Sequence, residues 1–172
     1  MATTYVQIGS IVTVGVGGAA SIDFTSIPAT YTDLCIKTSL REKTSGDYVR
    51  FGLNFNGTAA SVTGKMLYGD GASASSLNIT VYTTVAWGVD RFSATSNTFS
   101  NVDIYIPNYI SSNYKSFSID AVEENNSSAT LMSLSAGLWS NTAAITSISL
   151  IPDSRTTFAQ YSSASLYGIY KA

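Results

Sequence analysis

The chain reads as an all-β protein, an antiparallel β-sandwich of jelly-roll-like kind. Three observations predict this. Apolar residues recur with period 2 in segment after segment, which places them on one face of a strand. Turn-forming Gly, Pro, Asn, Asp and Ser punctuate those segments at short intervals. No stretch carries the 3.6-residue apolar period of an amphipathic helix.

Tyr5 to Val14 reads as an extended arm, broken by Gly15, Gly17 and Gly18. Residues 1–20 are therefore expected to form an N-terminal arm, and residues 21–172 the sandwich domain. Ser21 to Phe24 is a short segment, and Ile27–Pro28 turns the chain. Tyr31 to Arg41 alternates cleanly: Leu34, Ile36, Thr38 and Leu40 share one face, while Asp33, Cys35, Lys37, Ser39 and Arg41 share the other. That charged face is expected to meet water or a partner. Glu42 to Asp47 reads as a charged turn. Val49, Phe51, Leu53 and Phe55 are in phase beyond it, so the two segments are expected to pair antiparallel. Asn56–Gly57 then accepts positive φ cheaply, as a tight turn requires.

Val62 to Tyr68 reads as a weak strand, and Gly69 to Ser76 as a Gly/Ser-rich loop. Leu77 to Val89 holds one or two strands of poor phase. The clearest segment follows. A polar turn, Ser96 to Asn101, leads into a strand with Val102, Ile104 and Ile106 on one face and Asp103 and Tyr105 on the other. Pro107 ends it, because proline cannot donate to the ladder. Ser111 to Tyr114 turns into Lys115–Ala121, where Phe117, Ile119 and Ala121 are in phase. Glu123 to Ser128 is a polar hairpin connection. Ala129 to Trp139 is a long strand. Ser140–Asn141–Thr142 is a turn, Ile145 to Ile151 a strand, and Pro152–Asp153–Ser154 a further turn. Thr157 to Tyr170 closes the chain with one long or two short strands. The total is roughly ten strands.

Composition limits the function classes. Only 12% of the 172 residues are charged, while 27 are Ser and 20 are Thr. The net charge of −2 exerts no general pull on nucleic acid or an anionic membrane. There is no histidine, which removes the commonest general base and zinc ligand. A single cysteine, Cys35, rules out an intrachain disulfide and reads as a buried or interface thiol. No apolar run reaches the ~18–20 residues of a membrane helix, and the N-terminus lacks the basic-then-apolar order of a secretory signal.

Candidate chemistry is sparse. Gly15 to Gly18 lacks the Lys–Ser/Thr pair of a phosphate loop. Most carboxylates, including Asp70, Asp90, Glu123 and Asp153, fall in turns or at strand ends; Asp33 and Asp103 lie within strands on the polar phase. A glycosidase pair is therefore not expected. Asp70 and the run Glu123–Glu124–Asn125–Asn126 offer oxygen ligands for calcium, but without the spacing of a known calcium loop. No cofactor is expected. Eleven tyrosines remain as possible interface anchors. Tyr105 lies on the polar phase of its strand, and Tyr109 and Tyr114 flank the next turn. Trp139 reads as core.

Several motifs in order carry a resemblance: Tyr31–Thr32–Asp33–Leu34, Leu53–Asn54–Phe55–Asn56–Gly57, Gly69–Asp70–Gly71–Ala72–Ser73–Ala74–Ser75, Ile104–Tyr105–Ile106–Pro107–Asn108–Tyr109, Gly137–Leu138–Trp139–Ser140–Asn141, and Leu166–Tyr167–Gly168–Ile169. From about residue 20 onward the chain resembles a family of small virion proteins of tailed bacteriophages, common in phages of cyanobacteria and aquatic hosts. The resemblance implies a non-enzymatic structural protein located in the virion. The implied role is capsid decoration, or cement, on the head surface, with a tail or fibre glycan-binding module as the alternative. The implied partners are further copies of the chain, a trimer matching capsid threefold positions, and the major capsid protein, with no nucleic acid or membrane. Such a protein binds a lattice through many weak contacts, and an arm can add a strand to a neighbour. The expected contact residues are Tyr5, Ile8 and Ile11 of the arm, with Tyr105, Tyr109 and Tyr114.

Overall fold

The structure, a computed structural model, describes residues 4–43, 50–79, 85–90, 94–126, 130–152 and 157–170. Its strands are β1 (Tyr5–Thr13), β2 (Ile22–Phe24), β3 (Asp33–Leu40), β4 (Arg50–Phe55), β5 (Val62–Gly69), β6 (Ala74–Ile79), β7 (Ala86–Trp87), β8 (Ser100–Ile106), β9 (Lys115–Glu123), β10 (Leu131–Trp139), β11 (Ile148–Pro152) and β12 (Ser163–Ile169). Eight form one antiparallel sheet in the order β1-β12-β3-β8-β9-β10-β5-β6, and four form a second in the order β2-β11-β4-β7. The sheets pack face to face as an all-β sandwich. The division is eight against four, larger than the eight strands of a simple jelly roll.

The core lies where inward rows meet. Leu34, Ile36 and Leu40 of β3, Val102, Ile104 and Ile106 of β8, and Phe117, Ile119 and Ala121 of β9 face Phe51, Leu53 and Phe55 of β4 and Ile148 and Leu150 of β11. The rings of Phe55 and Phe117 sit 5.5 Å apart, and those of Phe55 and Trp139 5.3 Å apart. These rows are the period-2 sets visible in the sequence.

Four expectations are corrected. The segments before and after the 42–48 turn do not pair: β3 hydrogen-bonds to β12 and β8, and β4 to β11 and β7. Both carry an apolar inward row, and the two rows line one core from opposite sheets. The expected arm is a sheet strand. β1 pairs with β12, with a bulge between Ile8 and Val12, and both of those side chains pack against the core. The Gly/Ser loop is short, because Ala74–Ile79 turns back on β5 as β6. The Asp70 carboxylate holds that turn by accepting from the N–H groups of Ala72 and Ser73, which keeps its pKa below the usual value. Arg41 is buried rather than on the partner face; its guanidinium donates to the carbonyls of Ala94, Thr95 and Thr98. The expected turn at 44–47, the residues Val49, Ser127 and Ser128, and the acids Asp47 and Asp153 lie outside the described residues.

The inward row of β9 runs Lys115, Phe117, Ile119, Ala121, Glu123, all buried. Its two ends are charged. At one end the Lys115 ammonium donates to the carbonyls of Ser111 (2.7 Å), Asn141 (3.3 Å) and Ala143 (2.6 Å), and lies over the Trp139 ring. It ties the loop after β8 to the loop after β10. At the other end, Glu123 accepts from the Asn125 amide, which also donates to Asp90.

Candidate interaction face

The outer face of the large sheet is where the structure departs from an ordinary solvated surface. Its register divides it into two halves.

On the β1-β12-β3-β8 half the surface is polar and tyrosine-rich. Tyr5 of β1 stacks at 5.2 Å on Tyr167 of β12 and shares a hydrogen bond with the Cys35 thiol. Burial, then that hydrogen bond, pushes the Tyr5 hydroxyl well above its ordinary pKa. Burial likewise raises the Cys35 thiol. Cys35 is outward on β3 yet only 6% exposed, because these rings cover it. Lys37 pairs with Asp103 across β3 and β8, and that hydrogen bond raises the lysine's pKa. Asp33 accepts from the Tyr105 hydroxyl (2.7 Å) and the Asn108 N–H (2.9 Å). Donation to Asp33 is the first cause of the raised Tyr105 pKa. The charges of β3 are thus satisfied within the face.

On the β9-β10-β5-β6 half the polarity of one strand, β10, is inverted between Met132 and Ser135. Along β10, Ser133 and Ser135 point inward and are buried, while Met132 and Leu134 point outward and are 60% and 56% exposed. The Ser133 hydroxyl donates to the Trp87 carbonyl at 2.6 Å. Cross-strand neighbours extend the apolar surface. Val122 of β9 lies beside Met132, and Leu67 of β5, 62% exposed, lies beside Leu134. The outward residues of the edge strand β6 are small: Ala74, Ser76 and Asn78. Large side chains inboard and small ones at the edge leave a groove of about 560 Å³, lined by Lys65, Leu67, Ser76, Asn78, Leu134 and Ala136 among others. The Lys65 ammonium donates to Asn78 at its rim.

The expected contact residues distribute unevenly. Tyr5, Ile11, Tyr105 and Tyr114 are exposed. Ile8 is half-buried against the core. Tyr109 is fully buried, so it is not on the outer face with Tyr105. Its hydroxyl donates to the Pro28 carbonyl, and it packs in the core with burial raising its pKa. The reason is local. Asn108, at φ +51°, reverses the chain after Pro107, so strand parity does not carry from Tyr105 to Tyr109. Sequence reasoning missed Leu67, Val122, Met132 and Leu134. The available signal was the Leu131–Ser135 run, where either parity of the strand leaves apolar residues outside.

Among the described residues, no three His, Cys, Asp or Glu side chains gather in a way that could hold a metal, and no helix is long and apolar enough to cross a membrane. The geometry defines a β-sandwich with an apolar patch on the outer face of its larger sheet. Comparison with protein-family models, with curated proteins and with solved structures finds no match.

Proposed function

We propose that this chain is a building block of a phage virion, a decoration or cement protein that binds the head lattice through the outer face of its eight-stranded sheet. One observation carries the reading: the inverted polarity of β10, which puts Met132 and Leu134 in solvent beside Leu67 and Val122 while serines are buried. Contiguous exposed apolar patches beyond a few hundred Å² mark interaction surfaces. Flat apolar sheet faces suit contact with another protein better than turnover of a small substrate. The virion assignment rests on the motif order that resembles small phage structural proteins. It also fits the low-charge, hydroxyl-rich composition. A glycan-binding tail module is less well supported, because sugar rings stack on aromatic faces and this groove is walled by Leu67 and Leu134.

The test is to locate the chain in purified virions by cryo-electron microscopy or antibody labelling. Density over capsomer junctions is the expected result. Labelling confined to the tail tip would refute the cement role.

A further inference from the structure

An open sheet edge presents a row of unpaired N–H and C=O groups to any strand that reaches it. Folds blunt such edges by brevity, bulges, proline or charge. Among the described residues the two sheets have four edges, and three are blunted in this way. β2 and β7, the outer strands of the small sheet, run three and two residues as described. β1 carries the bulge between Ile8 and Val12, with Gly9 at φ +69°. β6 has none of these devices. It runs six residues, Ala74–Ile79, without a charge or a proline, and pairs with β5 in unbroken register. No described strand lies beyond it.

The two ends of β5 fix which way the backbone groups of β6 point. The Asp70 N–H donates to the Ser73 carbonyl, and the Ser140 N–H donates to the Ser61 carbonyl. Antiparallel partners alternate between pairs that exchange hydrogen bonds and pairs that do not. Counting from either end gives one answer: Tyr68–Ser75, Met66–Leu77 and Gly64–Ile79 are the bonded pairs between β5 and β6. Ala74, Ser76 and Asn78 therefore aim their N–H and C=O groups away from β5, at the open edge. Their side chains are small, uncharged and exposed on the outer face.

We propose that β6 docks against β6 of a second copy of this chain, antiparallel and about a twofold axis through Ser76, so that the two large sheets continue as one. Parity supports this register. With Ser76 opposite Ser76 of the second copy, Ala74 lies opposite Asn78 and Asn78 opposite Ala74, the same patch on both copies, as a twofold contact requires. All three positions carry edge-facing groups, so about six backbone bonds form. No like charges meet across the axis, as self-pairing demands. On the inner face the half-buried Leu77 comes beside Ser75 of the second copy. The groove fits the same occupant. Ser76 and Asn78 line its edge side, with Leu67 and Leu134 inboard, so pairing at β6 joins the grooves of two copies into one trough across the axis. The contact is twofold, where the resemblance implies a trimer. It involves this chain alone, and so stands or falls apart from the head-lattice reading.

The experiment is sedimentation equilibrium of the full chain, without heads, over a concentration series reaching about 1 mM, the weak limit of a specific contact. The mass should rise from one copy to two and no further. Ser76→Lys and Ser76→Glu each bring like charges face to face at an exposed position. Each should keep its unfolding midpoint in dilute solution within about 2 °C of wild type and weaken pairing about fivefold or more at low salt. An equal mixture of the two places opposite charges together and should pair about tenfold more tightly than either variant alone. Monomer mass throughout the series overturns the proposal and leaves the edge to a strand of a different protein. A threefold mass overturns it too. So does a Ser76→Lys variant that pairs as the wild type does, or a mixture that pairs no better than its components, since the charges then do not face each other.

Discussion

Replacing Gly137 by alanine should destabilise the protein by about 2 kcal/mol, and the whole effect should run through one aromatic ring. Gly137 of β10 lies directly opposite Phe117 of β9, and the Phe117 ring covers it. A Cβ at this position would sit 2.1 Å from Phe117 Cζ and 2.2 Å from Cε2. Carbon atoms rest at about 3.5–4.0 Å, so the ring would have to withdraw by more than ~1 Å. It has little room to do so: Phe117 is 4% exposed and abuts Phe55, which in turn abuts Trp139. Overpacking of this kind costs about 1–3 kcal/mol; its middle value, about 2 kcal/mol, is a fall in Tm of roughly 4–8 °C for a chain of this size. The assay is urea unfolding of four proteins: wild type, Gly137→Ala, Phe117→Ala and the double variant. Phe117→Ala alone should cost about 3–5 kcal/mol. In its background the added methyl has space, so Gly137→Ala should be near neutral, and the coupling energy should exceed ~1.5 kcal/mol. Single-variant stability within about 0.5 kcal/mol of wild type, or additive effects in the double variant, would refute the account of this contact.

Four further outcomes are expected. Tyr5→Ala should uncover Cys35 and raise its rate of reaction with a disulfide reagent about tenfold or more at constant pH; an unchanged rate would show that Tyr5 does not shield the thiol. Tyr109→Phe removes a buried donor to the Pro28 carbonyl and should cost ~1–2 kcal/mol in chemical unfolding without weakening partner binding; weakened binding with unchanged stability would contradict its place in the core. Leu134→Lys should leave unfolding within ~0.5 kcal/mol of wild type and abolish binding to undecorated heads in a co-sedimentation assay; retained binding would move the interface elsewhere. The two perturbed lysines should show opposite pH slopes. Burial lowers the Lys115 pKa, so the unfolded chain holds more protons there and stability from this residue rises with pH toward 10.5. The Asp103 hydrogen bond raises Lys37, whose contribution is complete below 10.5 and is lost as pH rises through its higher folded value. Comparing Lys115→Met and Lys37→Met with wild type across that range isolates each slope, and slopes of one sign would contradict the assignment.

Faces were legible in the sequence, and neighbours were not. The rows Leu34–Ile36–Leu40, Val102–Ile104–Ile106 and Phe117–Ile119–Ala121 are period-2 sets, and all three are buried. Alternation reports which way a side chain points and says nothing about which strand lies beside it. That is why β3 and β4, adjacent in sequence and matched in pattern, lie in different sheets. The N-terminal strand was misjudged for a related reason. Its partner, β12, lies at the far end of the chain, and the glycines after Thr13 resemble the boundary of a free arm. Tyr109 was expected at a contact face because it flanks a turn, and the reversal at Asn108 carries it into the core instead. The buried ends of the β9 row were also hidden, since a lysine and a glutamate at strand termini usually face water. Here Lys115 finds three carbonyls, and Glu123 accepts from an amide.

The inverted strand ties these points to function. A shift of β10 by one residue would bury Met132 and Leu134 and expose the serines, as the hydrophobic effect alone prefers. Two residues oppose the shift. Trp139 is 1% exposed and anchors the inward row beside Phe55. Gly137 is on the same row, and a slip would place Ala136 or Leu138 under the Phe117 ring, where no Cβ fits. The core contacts at one end of the strand therefore hold the register, and the exposed leucine and methionine follow from it. In an isolated sandwich, polar residues at 67, 132 and 134 would preserve every one of those core contacts while removing the exposed patch. Large apolar side chains there serve nothing that the packing of the sandwich requires, and the proposed interaction face gives them a role.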